Sequence, residues 1–458
     1  MDGVSNPARR LRFGGIAALA SALLVGVGAA DDYAPSNRPA SRQEGAAQPL
    51  SAVAELGRAI FYDRSLSSSG KLSCAGCHDP AHGYAPANDL PVQLGGPNLD
   101  RPGIRAVPSL GYMVMTPPFS VGPESAAEVE APQTPATMAA LAPADAPAPI
   151  AGPLAASLTG QPKAAAAAPA VVPQGGFFWD GRADTLEEQS IGPMLSPFEM
   201  DNANADAVYQ KLVRAPYRSE FSRLFGPEVL ADEKRLLSEA TFALARYEFE
   251  EPSFHPFTSK FDYYLRGEAA LSDGETRGLN IFDDPKKGGC AACHLDKIGK
   301  DGQFPVFTDY QYEALAPPRN RAIPANADPN FFDLGICGPL RSDDYAKQPE
   351  NCGLFKTPTL RNVATRRAFF HNGVFHTLED VVRFYVERNA NPEKWYPRQA
   401  DGTVNKFDDV PKRYWANIDF VDPPFDRKFG DPPVLDDADI ADLIAFLNTL
   451  TDGYELRK

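Results

Sequence analysis

The chain has 458 residues and a formal net charge of −15 at neutral pH. This length suits about two to four domains, and the strongly acidic balance argues against nucleic acid or an anionic membrane surface as a partner. Hydrophobic residues make up 43% of the chain and charged residues 23%, which is typical of a folded globular protein. Six cysteines are too few for a disulfide scaffold of this size, so each is interpreted by its position.

The amino terminus has the pattern of an export signal. Three arginines within residues 9–12 precede an uncharged apolar run, and small residues at 27–30 lead to Asp31. A membrane anchor is the alternative, but the glycines in the run and the small-residue exit favour cleavage. We therefore predict a signal peptide over residues 1–30, a periplasmic protein, and a mature chain without a membrane span.

The remaining chain predicts a mainly α fold with little β structure. A Pro- and Ala-rich stretch at 116–175 cannot bury enough side chain to offset chain entropy, so a flexible or extended insertion is predicted there. Apolar residues spaced three and four apart predict helices over 206–224 and 232–249. A last helix is predicted between Asp436 as its cap and Gly453 as its stop signal. Its predicted buried stripe is Ile440, Leu443, Ile444, Leu447 and Leu450.

One motif occurs twice. A Cys-x-x-Cys-His sequence follows a similar Phe-containing helix pattern at 74–78 and again at 290–294. Two thiols on one helical turn can each add to a haem vinyl group, which brings the adjacent histidine under the iron. Zinc needs four ligands and a dithiol redox pair needs no histidine, so both alternatives explain the repeat less well. We predict two covalently bound c-type haems, attached and ligated by Cys74, Cys77, His78, Cys290, Cys293 and His294.

The two other cysteines, Cys337 and Cys352, are flanked by glycines in a loop. In an exported protein this pattern favours a disulfide over a pair of catalytic thiols. Closing a loop of this size would stabilise the fold by about 3 kcal/mol in the chain-entropy model.

Few side chains remain as sixth ligands of the two irons. The remaining histidines are His82, His255, His371 and His376, and all six methionines precede residue 201. A methionine-ligated electron-transfer haem is therefore not expected in the second haem domain, which leaves a tyrosinate, a histidine or an open site. An open or tyrosine-ligated iron is typical of oxygen or peroxide chemistry.

Further motifs resemble the bacterial dihaem cytochrome c peroxidase and MauG family. These motifs are Phe178-Trp-Asp-Gly-Arg-Ala, Thr185-Leu-Glu-Glu-Gln, Phe355-Lys-Thr-Pro-Thr-Leu-Arg-Asn-Val, Phe370-His-Asn-Gly and Thr377-Leu-Glu. With both haem motifs, the resemblance covers about residues 51–452 apart from the insertion. It implies two cytochrome c-like α domains, which we place at 31–255 and 256–458.

The resemblance also implies roles for single residues. The first haem is the peroxide site, and Trp179 matches a tryptophan that relays electrons between the haems. Gln189, Pro193 and Glu199 match the distal pocket of the first haem. Glu199 is then the acid/base that takes a proton from one peroxide oxygen and delivers it to the other. Without the resemblance, Glu199 would fit an exposed loop carboxylate equally well.

In this family the sixth ligand of the second haem is Met in peroxidases and Tyr in MauG. The matching position is Tyr385, six residues after the end of the Thr-Leu-Glu stretch. A phenolate stabilises ferric and higher iron, so this haem should have a low potential. The alternative is an ordinary aromatic residue on a helix face.

The chain departs from the family pattern at two places. Peroxidases of the family carry a histidine that blocks the first iron until reduction, but His82 is too close in sequence to His78 to cross to the opposite haem face, so the first haem is predicted to be open. The family's interdomain calcium uses an asparagine where this chain has Arg-Ala-Val-Pro at 105–108. Carbonyls of Arg366 and Ala368 would remain as ligands, and the missing side chain argues against calcium.

Two enzyme functions follow as expectations. The first is a peroxidase that reduces hydrogen peroxide with electrons from a small cytochrome c or cupredoxin, passed through the second haem and Trp179 to the open first haem. The alternative is a MauG-like enzyme that uses peroxide-derived high-valent haem to oxidise side chains of a partner protein. A plain dihaem electron carrier explains Glu199 and Gln189 less well.

Overall fold

The computed structural model describes residues 49–123 and 171–456. Helices dominate this part of the chain and the strands are short, which confirms the mainly α fold class. No helix within these residues is both long enough and apolar enough to cross a lipid bilayer. The predicted signal peptide at 1–30 lies outside the described residues and stays a prediction.

Many of the helices begin at a side chain that accepts a backbone hydrogen bond, as at Ser51, Ser272 and Asp436. The helices are α1 (Ala52–Phe61), α2 (Cys74–Cys77), α3 (Leu186–Leu195), α4 (Ala205–Leu212), α5 (Arg218–Phe225), α6 (Glu233–Glu250), α7 (Lys260–Leu265), α8 (Asp273–Asp283), α9 (Leu378–Glu387), α10 (Pro392–Trp395) and α11 (Asp437–Asn448). Short 3₁₀ turns, among them Cys290–Ala292 and Met113–Met115, lie between them.

The strands of the described residues form three antiparallel pairs. They are β1 (Leu94–Gly95) with β2 (Arg101–Pro102), β3 (Ser120–Pro123) with β4 (Val171–Gln174), and β5 (Tyr312–Glu313) with β6 (Phe355–Lys356). The pair β3–β4 joins the two ends of the predicted insertion, with Ser120 opposite Gln174. The valines in these ends favour strand pairing. The prediction of a loop over all of 116–175 is therefore wrong at its ends, and residues 124–170 lie outside the described part.

The core of the N-terminal half forms where α1 crosses α6. Gly57 lies at this crossing, and a Cβ added there would be 1.8 Å from the Ala243 carbonyl oxygen. The two helices approach this closely because residue 57 has no side chain. The surrounding core contains aromatic and aliphatic side chains from Leu56 to Phe254.

The C-terminal half repeats this arrangement with α8 and α11. Gly278 is the glycine at the crossing, and an added Cβ would be 2.0 Å from the Asp442 carbonyl oxygen. The core contains side chains from Phe261 to Leu450. Gly57 and Gly278 also occupy the same place in the two sequence repeats, four residues before a phenylalanine. The repeat therefore encodes one helix crossing twice.

Two predicted helix boundaries are wrong. The helix predicted over 206–224 is two helices, α4 and α5, because Pro216 lies in the turn between them. The last helix begins after Asp436 as predicted but ends at Asn448, well before Gly453. The backbone N–H and the hydroxyl of the next residue both donate to the Phe446 carbonyl oxygen and close its last turn. Of the predicted stripe, Ile444 alone is not fully buried.

Buried polar contacts join the two halves. The Arg105 guanidinium lies 2.7 Å from the Asp180 carboxylate and 2.6 Å from that of Asp333. The disulfide between Cys337 and Cys352 lies in a nearby loop of the C-terminal half. The region where the two halves meet is called the junction. It also contains Trp179, which precedes Asp180.

Candidate haem sites

Both motif histidines have the same orientation. Nδ1 of His78 is 3.1 Å from the Tyr84 carbonyl oxygen, and Nδ1 of His294 is 2.9 Å from that of Phe307. A carbonyl oxygen only accepts hydrogen bonds, so Nδ1 carries the proton and the Nε2 lone pair is free. Burial lowers the pKa of each ring to about 4. Each ring is therefore neutral at pH 7 and has the tautomer that an iron ligand needs.

The carbonyls that orient these rings come from equivalent turns. Tyr84 and Phe307 both have a left-handed backbone, with φ of 57° and 56°. This conformation is uncommon for aromatic residues and marks a constrained turn. The backbone carbonyl oxygens of Pro108 and Pro358 also accept from the rings of His78 and His294, respectively, and this opposes the fall of pKa.

The four motif cysteines are not joined in disulfides. Cys74 and Cys77 are the two ends of α2. Burial raises the pKa of Cys74 to about 12 and that of Cys77 to about 11, so both are thiols at pH 7. Within the described residues, no three His, Cys, Asp or Glu side chains are grouped so that they could hold a metal ion. This arrangement favours thiol addition to a haem over a zinc cluster.

A large cavity in the C-terminal half is lined by the second motif and by Tyr385 on α9. The Tyr385 ring packs against Phe370 and Phe425, at centroid distances of 5.9 and 5.1 Å. Burial raises the pKa of the phenol well above its usual value. None of the described residues hydrogen-bonds to its hydroxyl. The hydroxyl is therefore available to an iron that His294 binds in this cavity.

Three of the other histidines are already bonded. His255 and His376 each bond to a backbone carbonyl oxygen, at 2.9 and 2.8 Å. His82 pairs with the Asp79 carboxylate at 2.8 Å and is partly exposed. Met113 belongs to the N-terminal half but lines the C-terminal cavity. Sequence position alone therefore does not exclude methionine from that cavity.

His371 also lines this cavity but is held by stacking. Its ring lies on that of Phe355, with centroids 3.6 Å apart, and is 4% exposed. Its Nε2 has no hydrogen-bond partner, and the nearest carboxylate oxygen, from Asp409, is 3.8 Å away. This environment fits the predicted structural role near the second haem.

Trp179 lies at the junction of the two halves. Its Nε1 donates to the Ala106 carbonyl oxygen at 2.8 Å, and its own carbonyl oxygen accepts from the backbone N–H of Lys356 at 2.9 Å. The ring lines the C-terminal cavity. Ala106 of the N-terminal half therefore holds the indole and Lys356 of the C-terminal half holds the backbone of Trp179. The relay role of Trp179 stays a prediction.

Glu199 lies close to the first motif. Its charge raises the pKa of both Cys74 and Cys77, so the carboxylate lies within electrostatic range of the two thiols. Burial raises the pKa of Glu199 itself, while a hydrogen bond from Ser196 and the charge of Arg182 oppose this rise. A half-buried carboxyl with a raised pKa near a haem motif is suited to proton exchange.

Gln189 and Pro193 lie on α3, four residues apart, so they share one face of that helix. The Pro193 carbonyl oxygen accepts a hydrogen bond from the backbone N–H of Met200 at 3.1 Å. This bond folds the turn that carries Glu199 back onto α3. The catalytic roles of Gln189 and Pro193 stay predictions.

The residues predicted for calcium do not form a cation site. Ala106 has no side-chain oxygen, and the Arg366 guanidinium donates to the neighbouring Val107 carbonyl oxygen at 2.8 Å. A positive charge at this place disfavours a divalent cation. These residues fit calcium poorly, and its absence stays a prediction.

Glu248 on α6 was not predicted as a site residue. It is 5% exposed, its Oε2 has no hydrogen-bond partner, and its charge acts on Cys74. Burial, with a smaller effect of the Glu187 charge, raises the pKa of Glu248 to about 8. Its spacing could have indicated burial, because Glu248 follows the buried Leu244 by four residues and so lies on the same helix face.

The comparisons with known proteins agree with this geometry. A family model described as di-haem cytochrome c peroxidase matches residues 51–270. The methylamine utilization protein MauG of Paracoccus denitrificans is 30% identical over 408 residues, which cover 88% of this chain and 89% of that protein. The chain belongs to the dihaem cytochrome c peroxidase and MauG family.

Other family members are similar over most of the chain. The cytochrome c551 peroxidase of Nitrosomonas europaea is 27% identical over 76% of this chain and 80% of its own length. The crystal structure of the diheme peroxidase BthA from Burkholderia thailandensis has a TM-score of 0.72 and 35% identity, covering 89% of this chain and 88% of that one. The protein is therefore a haem oxidoreductase of a two-haem family. Its two neutral histidines and adjacent thiols fit the two haems.

Proposed function

We propose that this protein reduces hydrogen peroxide at its N-terminal haem site, with electrons that a small cytochrome c or cupredoxin delivers at the C-terminal site. Trp179 relays the electrons between the sites. Both haems are covalently attached through the motif cysteines, and the enzyme acts in the periplasm. Glu199 carries the proposal, because a half-buried carboxyl with a raised pKa near the first haem motif is what peroxide cleavage needs and an electron carrier does not.

The reaction consumes one peroxide, two electrons and two protons and yields two waters. The haems, when bound, supply iron that exchanges these electrons. Glu199 takes the proton from one peroxide oxygen and returns it to the other, which leaves as water. Its raised pKa makes its carboxylate a stronger base than an exposed one. His78 holds its Nε2 in place through the bond from Nδ1 to Tyr84.

Tyr385 gives the C-terminal site a different role. Its hydroxyl would hold the iron of a haem bound at that site, which would exclude peroxide and leave the site to transfer electrons. Phe370 and Phe425 hold the phenol ring on both sides.

A second candidate is oxidation of a partner protein, as implied by the likeness to MauG. Tyr385 in the C-terminal cavity favours it, since a phenol ligand retains oxidising equivalents better than a thioether does. In this case Trp179 would draw electrons from the partner protein instead of from a small redox donor.

A steady-state assay with reduced cytochrome c and hydrogen peroxide separates the two candidates. Rapid, repeated oxidation of the cytochrome supports the peroxidase. A long-lived oxidised protein with little turnover supports oxidation of a partner protein. The absence of any response to peroxide contradicts both.

The relay is tested in the same assay with Trp179→Phe. We expect loss of cytochrome oxidation with both haems retained. Trp415→Phe is the matched control, because its Nε1 also donates to a backbone carbonyl oxygen, at 2.9 Å, but it packs against the C-terminal core. Equal activity of the two variants would contradict the relay.

A further inference from the structure

A guanidinium lies between the two haem sites. Arg366 lines the C-terminal cavity together with His294 and Tyr385. Its Nη2 donates to the Val107 carbonyl oxygen, next to Pro108, whose carbonyl oxygen accepts from the His78 ring, so Arg366 lies near the N-terminal site as well. One side chain therefore lies between the two candidate haem sites.

The backbone at 106–108 fixes this guanidinium beside the relay. The Val107 carbonyl oxygen accepts from Arg366 Nη2 at 2.8 Å, and the preceding carbonyl, of Ala106, accepts from Trp179 at 2.8 Å. The Ala106 N–H in turn donates to the His371 carbonyl oxygen at 2.7 Å. The guanidinium of Arg366, which belongs to the C-terminal half, is thus held by a carbonyl of the N-terminal half.

No acidic side chain of the described residues pairs with Arg366. The other arginine at the junction, Arg105, is paired with both Asp180 and Asp333. Burial lowers the pKa of Arg366 to about 10, so it still carries its charge at pH 7. A half-buried guanidinium with one carbonyl partner and no counter-charge is suited to binding an anion.

We propose that Arg366 binds the propionate carboxylates of the haems and is the permanent cation of the junction. Haem propionates are the anions that the bound groups bring to this place, and a planar guanidinium matches carboxylates with paired hydrogen bonds. The charge also makes a separate calcium ion unnecessary. The proposal depends on both haems being present, but not on which of the two candidate reactions is correct.

The test compares haem midpoint potentials of the holoenzyme by spectroelectrochemistry. A nearby positive charge favours the reduced haem, so Arg366→Gln should shift the reduction equilibrium of at least one haem about tenfold toward the oxidised form, about 59 mV for one electron. Arg366→Lys should retain most of the potential. Arg367→Gln is the matched control, because that neighbour is exposed.

Haem content, measured on the same samples, separates loss of haem from loss of the charge. Wild-type potential in Arg366→Gln with two haems bound would overturn the proposal. A second experiment uses the wild-type enzyme and removes calcium with EGTA. The haem potentials and the spectrum should stay the same. A change that added calcium reverses would show that calcium holds the junction and would also overturn the proposal.

Discussion

The two halves of the molecule orient their motif histidines in the same way, but they place different side chains near them. His78 and His294 have the same tautomer, and their Nδ1 atoms bond to carbonyls of equivalent left-handed turns. The N-terminal half has the half-buried carboxyl of Glu199 near its motif, and the C-terminal half has the phenol of Tyr385 in its cavity. The same histidine geometry is thus proposed to serve two chemistries.

The crossing helices α6 and α11 also share their packing but differ in one side chain near the haem site. Tyr247 and Phe446 lie equally close to the crossing glycines, so the residues after them, Glu248 and Leu447, are equivalent. Leu447 lines the C-terminal cavity, whereas Glu248 acts on a cysteine of the first motif. The N-terminal half therefore has the acids Glu199 and Glu248, whereas the C-terminal half has the aromatic Tyr385 and the apolar Leu447. We expect haem attachment to depend on the motif and helix crossing that the halves share. We expect reactivity to depend on the side chains in which they differ.

The largest expected effect comes from removing the acid of the N-terminal site. Glu199→Gln should lower the rate of peroxide turnover about 10²–10⁴-fold, because proton transfer from a positioned carboxyl contributes that much. Both haems and the spectrum of the C-terminal haem should be unchanged. Stopped-flow kinetics with hydrogen peroxide measures the effect.

Glu228→Gln is the control for this variant, since that carboxylate is exposed in the same half. It should react with peroxide at the wild-type rate. A Glu199→Gln enzyme that does the same would show that the two sites do not differ by this acid.

Substitutions at the two crossing glycines test the helix packing that the halves share. Gly57→Ala and Gly278→Ala should each cost about 3 kcal/mol and lower a melting transition by about 5–10 °C, because the new methyl group meets a backbone carbonyl. Calorimetry should show the N-terminal transition lowered in the first variant and the C-terminal one in the second.

Gly274→Ala is the control on α8, because its Cβ would meet only the end of the Asp442 side chain, at 3.0 Å. Its melting temperature should not fall. If Gly57→Ala and Gly278→Ala behaved as this control does, the two crossings would not be closely packed.

The smallest expected effect concerns pH. The pKa of Glu248 is raised from 4.5 to about 8, so the folded protein binds a proton that the unfolded chain has lost. Stability from this residue is complete below pH 4.5 and declines as the pH rises to about 8. Glu248→Leu, which copies Leu447, should remove this decline and stabilise the protein by at least about 1 kcal/mol at pH 8.

Melting temperatures at pH 5 and pH 8 measure this difference. Wild type should lose more stability between the two values than Glu248→Leu does. An identical loss in both proteins would mean that Glu248 is not buried in its neutral form.

The repeated motif and the helix periodicity sufficed to predict the fold class and the proximal histidines. These features are local in sequence: a Cys-x-x-Cys-His turn determines its own geometry, and the α6 helix predicted over 232–249 is found at Glu233–Glu250. Helix ends were predicted less well, because Pro216 and the capping bonds of Thr449 decide them individually.

The junction could not be predicted from the sequence. Arg366 and Met113 reach the C-terminal cavity from distant parts of the chain, and no periodic pattern indicates such contacts. The sequence showed that a calcium ligand was missing, but not that a guanidinium lies there. Contacts between distant segments depend on how the two halves meet, which motif spacing does not determine.

Electron paramagnetic resonance of the fully oxidised protein tests the central difference between the halves most directly. An open N-terminal site and a Tyr385-ligated C-terminal site predict one high-spin and one low-spin ferric signal of equal intensity. The low-spin signal should change in Tyr385→Phe and stay the same in Met113→Leu. Two low-spin signals, or a low-spin signal that only Met113→Leu alters, would contradict this account.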